Sequence, residues 1–239
     1  MPVMTRAATV PPLELLERGE IAVKGRLPWA SNATFLVEVT RGRAVTLGVY
    51  KPQRGERPLW DFPRGLYRRE VAAYLLSEAF GWGLVPPTLE RDGPYGPGSI
   101  QLFVDADFEE HYFTLRERPE HRIALARLCA FDLIANNADR KAGHCLLGRD
   151  GRLYAIDNGL CFHVEPKLRT VVWDLAGEPI PPEIRKAASR LGAQELPESL
   201  ARLLAAEERA ALVARARALG AADQFPEDAT GMRYPWPLV

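Results

Sequence analysis

The sequence predicts an α+β fold in which an antiparallel sheet with one helix is followed by a mainly helical half. Three observations carry this. From Ile21 to Tyr50 apolar residues alternate with small or polar ones, the period of two of half-buried strands. Tyr67, Val71, Tyr74, Leu75 and Ala79 then recur at spacings of three and four, which places them on one face of a helix. Beyond about residue 105 the chain turns to Ala- and Leu-rich segments with polar starts, broken by one short hairpin. A strand-rich front joined to a helical back implies a boundary near residue 105 and a cleft between two layers of structure.

The elements follow in order. Pro11-Pro12 before Leu13, Leu15 and Leu16 opens a short helix that Gly19 stops. Three strands are centred on Ile21 and Val23, on Phe35, Val37 and Val39, and on Val45, Leu47 and Val49. Residues 28–34 join the first two, and Arg41-Gly42-Arg43 is the turn before the third. Pro52, Pro58 and Pro63 exclude a regular helix over 52–63. The helix from Leu66 to Phe80 ends at Gly81. A short strand at Thr88-Leu89, a Gly/Pro turn over 93–98 and a strand from Ile100 to Val104 complete the sheet, with Phe103 to Asp107 as the hinge. The segment from His121 to Ala135 is apolar almost all round and reads as a buried helix. A hairpin joins His144–Leu147 to Leu153–Ile156 around Gly148-Arg149-Asp150-Gly151. Amphipathic helices are expected over Glu183–Leu191, Leu196–Ala205 and Glu207–Leu219, before a Pro-rich aromatic tail. The organisation is an extension over 1–19, an N-terminal lobe over 20–105, a C-terminal lobe over 106–222 and a tail over 223–239.

Composition narrows the function classes. Of 239 residues, 47% are apolar, enough for a core, and 26% are charged, which argues against disorder. Lys plus Arg equals Asp plus Glu at 31 each, so no broad basic field exists and no nucleic-acid partner is expected. Cys129, Cys145 and Cys161 fit no zinc pattern and no C-x-x-C motif, and read as reduced core thiols of a cytoplasmic protein. No apolar run nears the roughly 20 residues that span a bilayer, so no membrane insertion is expected. Met1 to Val10 has no apolar signal core.

Four polar features interrupt ordered segments. Lys51 ends the third strand, where its ammonium either points into a cleft or is solvated. Glu70 lies on the edge of the apolar face of the next helix and is placed to pair with it. Asp139 sits in the polar run Asn136 to His144, between a buried helix and a strand, and Asp157 directly follows the apolar run Ala155-Ile156. Each acidic residue on its own also fits an ordinary turn. The hairpin between them brings its two ends together, so both carboxylates face one place. At about 4 Å and an effective dielectric of about 20, two carboxylates repel by about 4 kcal/mol. A shared proton or a divalent cation relieves that, and a metal-bound triphosphate is the simplest occupant.

The order of these features resembles the protein-kinase-like fold in its phosphatidylinositol 3-/4-kinase and HipA branch. There a D-R-H-x-x-N motif precedes a hairpin and then I-D-F-G; here Asp139-Arg140-Lys141-Ala142-Gly143-His144 precedes Ile156-Asp157-Asn158-Gly159. Leu59-Trp60-Asp61-Phe62-Pro63, Arg69 to Tyr74 and Lys167 to Val171 also resemble a bacterial family of similar length related to those lipid kinases. The kinase-like resemblance covers roughly residues 20–175.

The resemblance implies a two-lobed kinase with ATP and Mg²⁺ or Mn²⁺ as cofactors. Lys51 would contact the α- and β-phosphates, with Glu70 holding it. The Ser31-Asn32 turn would cover the phosphates, although it lacks a Gly-rich signature. Leu102, Phe103 and Val104 would meet adenine. Asp139 would accept the proton of an attacking hydroxyl, and Asp157 would bind the metal. His144 stands where an Asn metal ligand is usual; imidazole suits Mn²⁺ or Zn²⁺ better than Mg²⁺, which leaves poor ligation, Mn²⁺ preference or another role open. Lys141 replaces the usual His, and Asn158 stands where Phe is common. The acceptor is unspecified: a protein, a small molecule or a lipid. The alternatives are a pseudokinase that binds nucleotide and regulates a protein partner, and a structural scaffold.

Overall fold

The computed structural model describes residues 10–28 and 32–239. The chain forms two compact units, Met1–Arg57 with Pro87–Phe103, and Pro58–Pro86 with Val104–Val239.

The first unit is a five-stranded antiparallel sheet with one short helix on it. Its strands are β1 Glu20–Arg26, β2 Phe35–Arg41, β3 Ala44–Pro52, β4 Thr88–Gly93 and β5 Gly96–Leu102, in the order β1-β2-β3-β5-β4. Period-two patterning sets the register: Val37, Val39, Tyr50 and Ile100 are wholly buried on one face. Helix α1, Pro12–Arg18, covers that face with Leu15 and Leu16. Each buried leucine contributes about 2 kcal/mol. The Arg91 guanidinium on β4 donates to the carbonyls of Leu16 and Gly19, which fastens the end of α1 to the sheet. The β2–β3 turn falls where expected, with Gly42 at φ 61°.

One strand differs from expectation. The Gly/Pro run over 93–98 is only partly a turn; β5 begins at Gly96 and ends at Leu102. Here glycine serves close approach. A Cβ on Gly98 would lie 2.5 Å from the Lys51 carbonyl oxygen, so only glycine lets β5 run beside the end of β3.

The second unit is mainly helical. Helix α2, Leu66–Phe80, starts and stops at glycines in the left-handed conformation, Gly65 and Gly81. Ala72, Ala73, Leu76 and Phe80 enter a core shared with α4, Arg122–Ala135, whose Leu128, Phe131 and Ile134 are fully buried. Helices α5, Pro182–Ala193, and α7, Ala206–Ala221, close this core through Ile184, Ala188, Leu212 and Ala216. A single helical turn, α3 Tyr112–Leu115, precedes α4. The expected hairpin is present as β7 Cys145–Gly148 and β8 Leu153–Ala155, with the two-residue strand β6 Ala106–Asp107 on its edge. The helix expected over Leu196–Ala205 is only one turn, α6 Glu198–Ala201. Pro197 bars Leu196 from helical backbone, and the chain leaves through i→i+3 bonds at Leu203 and Leu204. The three cysteines are buried and unpaired, and burial raises all three thiol pKa values, that of Cys145 to about 12. Among the described residues no helix is long and apolar enough to cross a membrane.

Candidate active site

The site grows out of the C-terminal end of α4. Asn136 ends that helix in the left-handed conformation, φ 54° and ψ 52°, which Asn tolerates better than most residues. Its side-chain amide donates to the carbonyls of His163 and Glu165 at 2.9 and 2.7 Å, and its oxygen accepts from the Lys167 N–H at 2.9 Å. Asn137 follows with a side-chain turn: its Oδ1 accepts from the Asp139 N–H at 3.0 Å. Asp139 is thus presented on a loop whose preceding residues are already pinned.

The next residue is the anchor. Arg140 is fully buried and faces Asp132, an acidic residue inside the otherwise apolar α4. Arg140 Nε and Nη2 donate to Asp132 Oδ1 at 3.1 and 3.0 Å, and Thr170 and Asn137 donate to the same carboxylate at 3.0 and 3.2 Å. Burial pushes the Asp132 carboxyl up, and these donors pull it back. Arg140 Nη1 also donates to the Ile156 carbonyl at 2.7 Å, and Nη2 to Asn158 Oδ1 at 2.5 Å. One guanidinium therefore ties the Asp139 loop to both residues that flank Asp157.

Asp157 stands two residues past the end of β8 with φ 57°, and its side chain is 54% exposed. Glu70, 3% exposed on α2, accepts from the N–H of Asn158 at 2.9 Å. The adjacent Arg69 donates to the Cys161 carbonyl and pairs with Glu208 on α7, so α2 is fastened on both sides of this turn.

His144 lies between the two acidic residues. It closes a short 3-10 turn, Ala142–His144, just before β7. Its Nδ1 is 3.1 Å from the Asp139 carbonyl oxygen, and its Nε2 is 3.4 Å from Asp157 Oδ2. A carbonyl only accepts, so this contact calls for a proton on Nδ1, and an ionised Asp157 carboxylate likewise calls for a donor at Nε2. The Lys141 N–H also lies 3.3 Å from Nδ1, a longer contact with the opposite demand. Lys141, at the position where the sequence departs from the kinase motif, pairs through Nζ with Asp139 Oδ2 at 3.5 Å. The Asp139 carboxyl is raised, first by burial and then by the charge of Asp157, against the lowering pull of Lys141 and Arg169.

The structure thus brings Asp139, His144, Asp157 and Glu70 together in the helical unit. Lys51, Asn32, Leu102 and Phe103 belong to the sheet unit. Lys51 is the penultimate residue of β3, half-buried and across from Ser99. Asn32 Oδ1 accepts from the Arg57 N–H at 2.9 Å, whereas Ser31 lies outside the described residues. Leu102 ends β5, the Phe103 N–H donates to the Leu47 carbonyl at 3.0 Å, and Val104 opens the helical unit. Sequence reasoning missed Asp132 and the buried side of Arg140. The available signal was a carboxylate in a helix apolar on all sides, which demands a buried partner.

Fold and site together define a kinase-like phosphotransferase class. A family model described as phosphatidylinositol 3- and 4-kinase matches residues 66–195, more than half of the chain, and the chain belongs to that family. It is 43% identical over 260 aligned residues to Protein Rv2133c of Mycobacterium tuberculosis (strain ATCC 25618 / H37Rv), covering 93% of this chain and 94% of that one. It is 31% identical over 218 residues to phosphatidylinositol 4-kinase gamma 4 of Oryza sativa subsp. japonica, covering 72% of this chain and 37% of the rice protein. Among solved structures, the Golgi casein kinase with Mn/ADP bound superposes with a TM-score of 0.56 at 14% identity, covering 95% of this chain and 79% of that one. Hydra Fam20 with sugar gives 0.52 at 14% identity, covering 85% and 84%. These likenesses bear out the kinase-like fold and the resemblance to phosphatidylinositol 3-/4-kinases and to a bacterial family of similar length.

Proposed function

We propose that this protein is an ATP-dependent phosphotransferase that moves the γ-phosphoryl group of ATP to a hydroxyl of an acceptor. One observation carries the reading: a single imidazole, His144, spans from the Asp139 backbone to the Asp157 carboxylate, so the loop acid and the strand-end acid serve one locus. In this reading Asp139 takes the hydroxyl proton as the oxygen bonds to phosphorus, and the bond between the β- and γ-phosphates breaks to release ADP. Lys51 meets the α- and β-phosphates with Glu70 as its counter-charge, the Ser31-Asn32 turn covers them, and Leu102 to Val104 flank adenine. In this reading the sheet unit binds nucleotide and the helical unit is catalytic; the boundary expected at residue 105 is drawn instead with residues 58–86, helix α2 included, in the helical unit. The buried unpaired thiols fit a reducing compartment such as the cytoplasm.

The donor set fits a divalent ion that arrives with nucleotide. Among the described residues no group of three or more His, Cys, Asp or Glu forms a cage. Mg²⁺ is commonly held by one or two carboxylates, with phosphates and waters completing the shell. Asp157 would hold it, with His144 beside it. A bound ion would supply charge neutralisation on phosphate oxygens. Purified protein incubated with labelled ATP and Mg²⁺ or Mn²⁺ tests this. Asp157→Asn is expected to weaken metal-dependent ATP binding by about tenfold or more, since its charge-assisted contact is lost; unchanged affinity with metal present would end the assignment.

A second reading, a nucleotide-binding pseudokinase, is favoured by the same His144–Asp157 contact, because the imidazole sits on the oxygen a metal would use. His144→Asn separates the two. Under the phosphotransferase reading, labelled phosphate transfer with Mg²⁺ is retained or raised relative to Mn²⁺. Thermal stabilisation by ATP without turnover in either protein supports the pseudokinase.

A further inference from the structure

The segment after α7 has no part in the steps above, yet its backbone reaches the Asp139 loop. It is first clamped to residues 177–180: the N–H groups of Ile180 and Gly177 donate to the carbonyls of Asp223 and Phe225 at 2.9 and 3.0 Å, and the Phe225 N–H donates to the Glu178 carbonyl at 2.9 Å. The Asp228 carboxylate then turns the chain by accepting from the Thr230 hydroxyl at 2.6 Å and the Arg233 N–H at 2.9 Å. Past this turn the Arg233 carbonyl accepts from the Thr170 N–H and from the Trp173 indole, both at 3.0 Å. The Leu238 carbonyl accepts from the Ala142 N–H at 2.8 Å.

Both backbone donors matter to the loop. Thr170 is bridged in parallel to Arg140, and its hydroxyl holds Asp132. Ala142 opens the turn that carries His144. The two residues are 2% and 0% exposed, so their amides have little access to replacement water. Without these acceptors each buried amide would be left unsatisfied, which is unfavourable. Meanwhile the segment itself buries little. Met232, Trp236 and Val239 are 78%, 88% and 63% exposed, and only Pro235 among residues 231–239 is buried. Backbone hydrogen bonds, more than apolar area, hold it.

We propose that residues 232–239 are a positioning element of the active site: their carbonyls fix the loop just after Asp139, through Thr170 beside Arg140 and directly at Ala142, and the docked segment sets its working geometry. The kinetic consequence rests on the phosphotransferase reading; the contact does not. Removing residues 232–239 keeps the Phe225 clamp and is expected to lower kcat about a hundredfold, the scale of an ångström-sized misplacement. KM for ATP is expected to stay within about twofold. A synthetic peptide of residues 229–239 added in trans is expected to restore part of the lost kcat. By hydrogen exchange, the Ala142 and Thr170 amides are expected to lose protection. Should the shortened chain not fold, two glycines inserted between Arg233 and Tyr234 keep the Arg233 contacts and displace Leu238, so that only the Ala142 amide opens. Unchanged kcat with unchanged exchange at both amides overturns the proposal, as does a parallel loss of kcat and ATP affinity that the peptide does not rescue. Absence of phosphotransfer in the full chain, with both amides still opened by truncation, removes the phosphotransferase reading and leaves the contact supported.

Discussion

Asp139→Asn is expected to reduce phosphotransfer by about a thousandfold while ATP affinity stays nearly unchanged, because general-base removal costs roughly 10²–10⁴. The substitution preserves shape, and the loop is held by contacts that do not use the carboxylate: Asn137 on the Asp139 N–H and Arg140 on both neighbours of Asp157. An amide there cannot take the hydroxyl proton. The same variant makes a stability prediction whose sign follows from the raised pKa of Asp139. The folded state binds this proton more tightly than the unfolded chain does. The associated stability is full below the unfolded value of about 3.9 and is lost as pH rises through the higher folded value. At pH 7 the ionised carboxylate therefore opposes folding, and Asp139→Asn is expected to melt above the parent. The gap should close as pH falls toward 4. The rising limb of activity should lie above the ordinary aspartate range. Single-turnover transfer of labelled phosphate and melting curves across pH measure all three. Undiminished transfer would remove Asp139 from its role.

Arg140→Met is expected to destabilise the fold by about 3–5 kcal/mol, the cost of leaving a buried charge without its partner. For a chain of this size that lowers Tm by roughly 10 °C. Asp132 would keep only Thr170 and Asn137 as donors, and the Ile156 carbonyl and Asn158 side chain would lose theirs. Combining it with Asp132→Leu should recover part of the loss, since no buried carboxylate remains, but not all, because the contacts to residues 156 and 158 are still missing. Urea unfolding of the single and double variants reads this directly; a loss under about 1 kcal/mol for Arg140→Met would show that the network is not the anchor.

The periodic parts of the chain were legible in advance. The alternation around Val37 and Val39, the face of Leu66–Phe80 and the hairpin after His144 each follow from local burial, which leaves a repeating mark on the sequence. Elements set by contacts distant in sequence left no such mark. Gly98 reads as a turn residue, but its small size serves β3, nearly fifty positions earlier. Leu196–Ala205 has helical composition, but Pro197 decides its start. At the candidate site, Asp139 and Asp157 stood out because polar residues interrupt apolar runs, and His144 only through the family motif. The hold of Glu70 on the Asn158 amide and of Leu238 on Ala142 was not, because a backbone partner can be any residue type.

The left-handed backbone at Asp157 limits how this position can change over evolutionary time. Asparagine or glycine could follow aspartate there with the bend intact, whereas a β-branched newcomer would spring the turn whatever its chemistry. Homologues that abandon the acid should consequently drift to those two letters, giving silenced copies a recognisable signature.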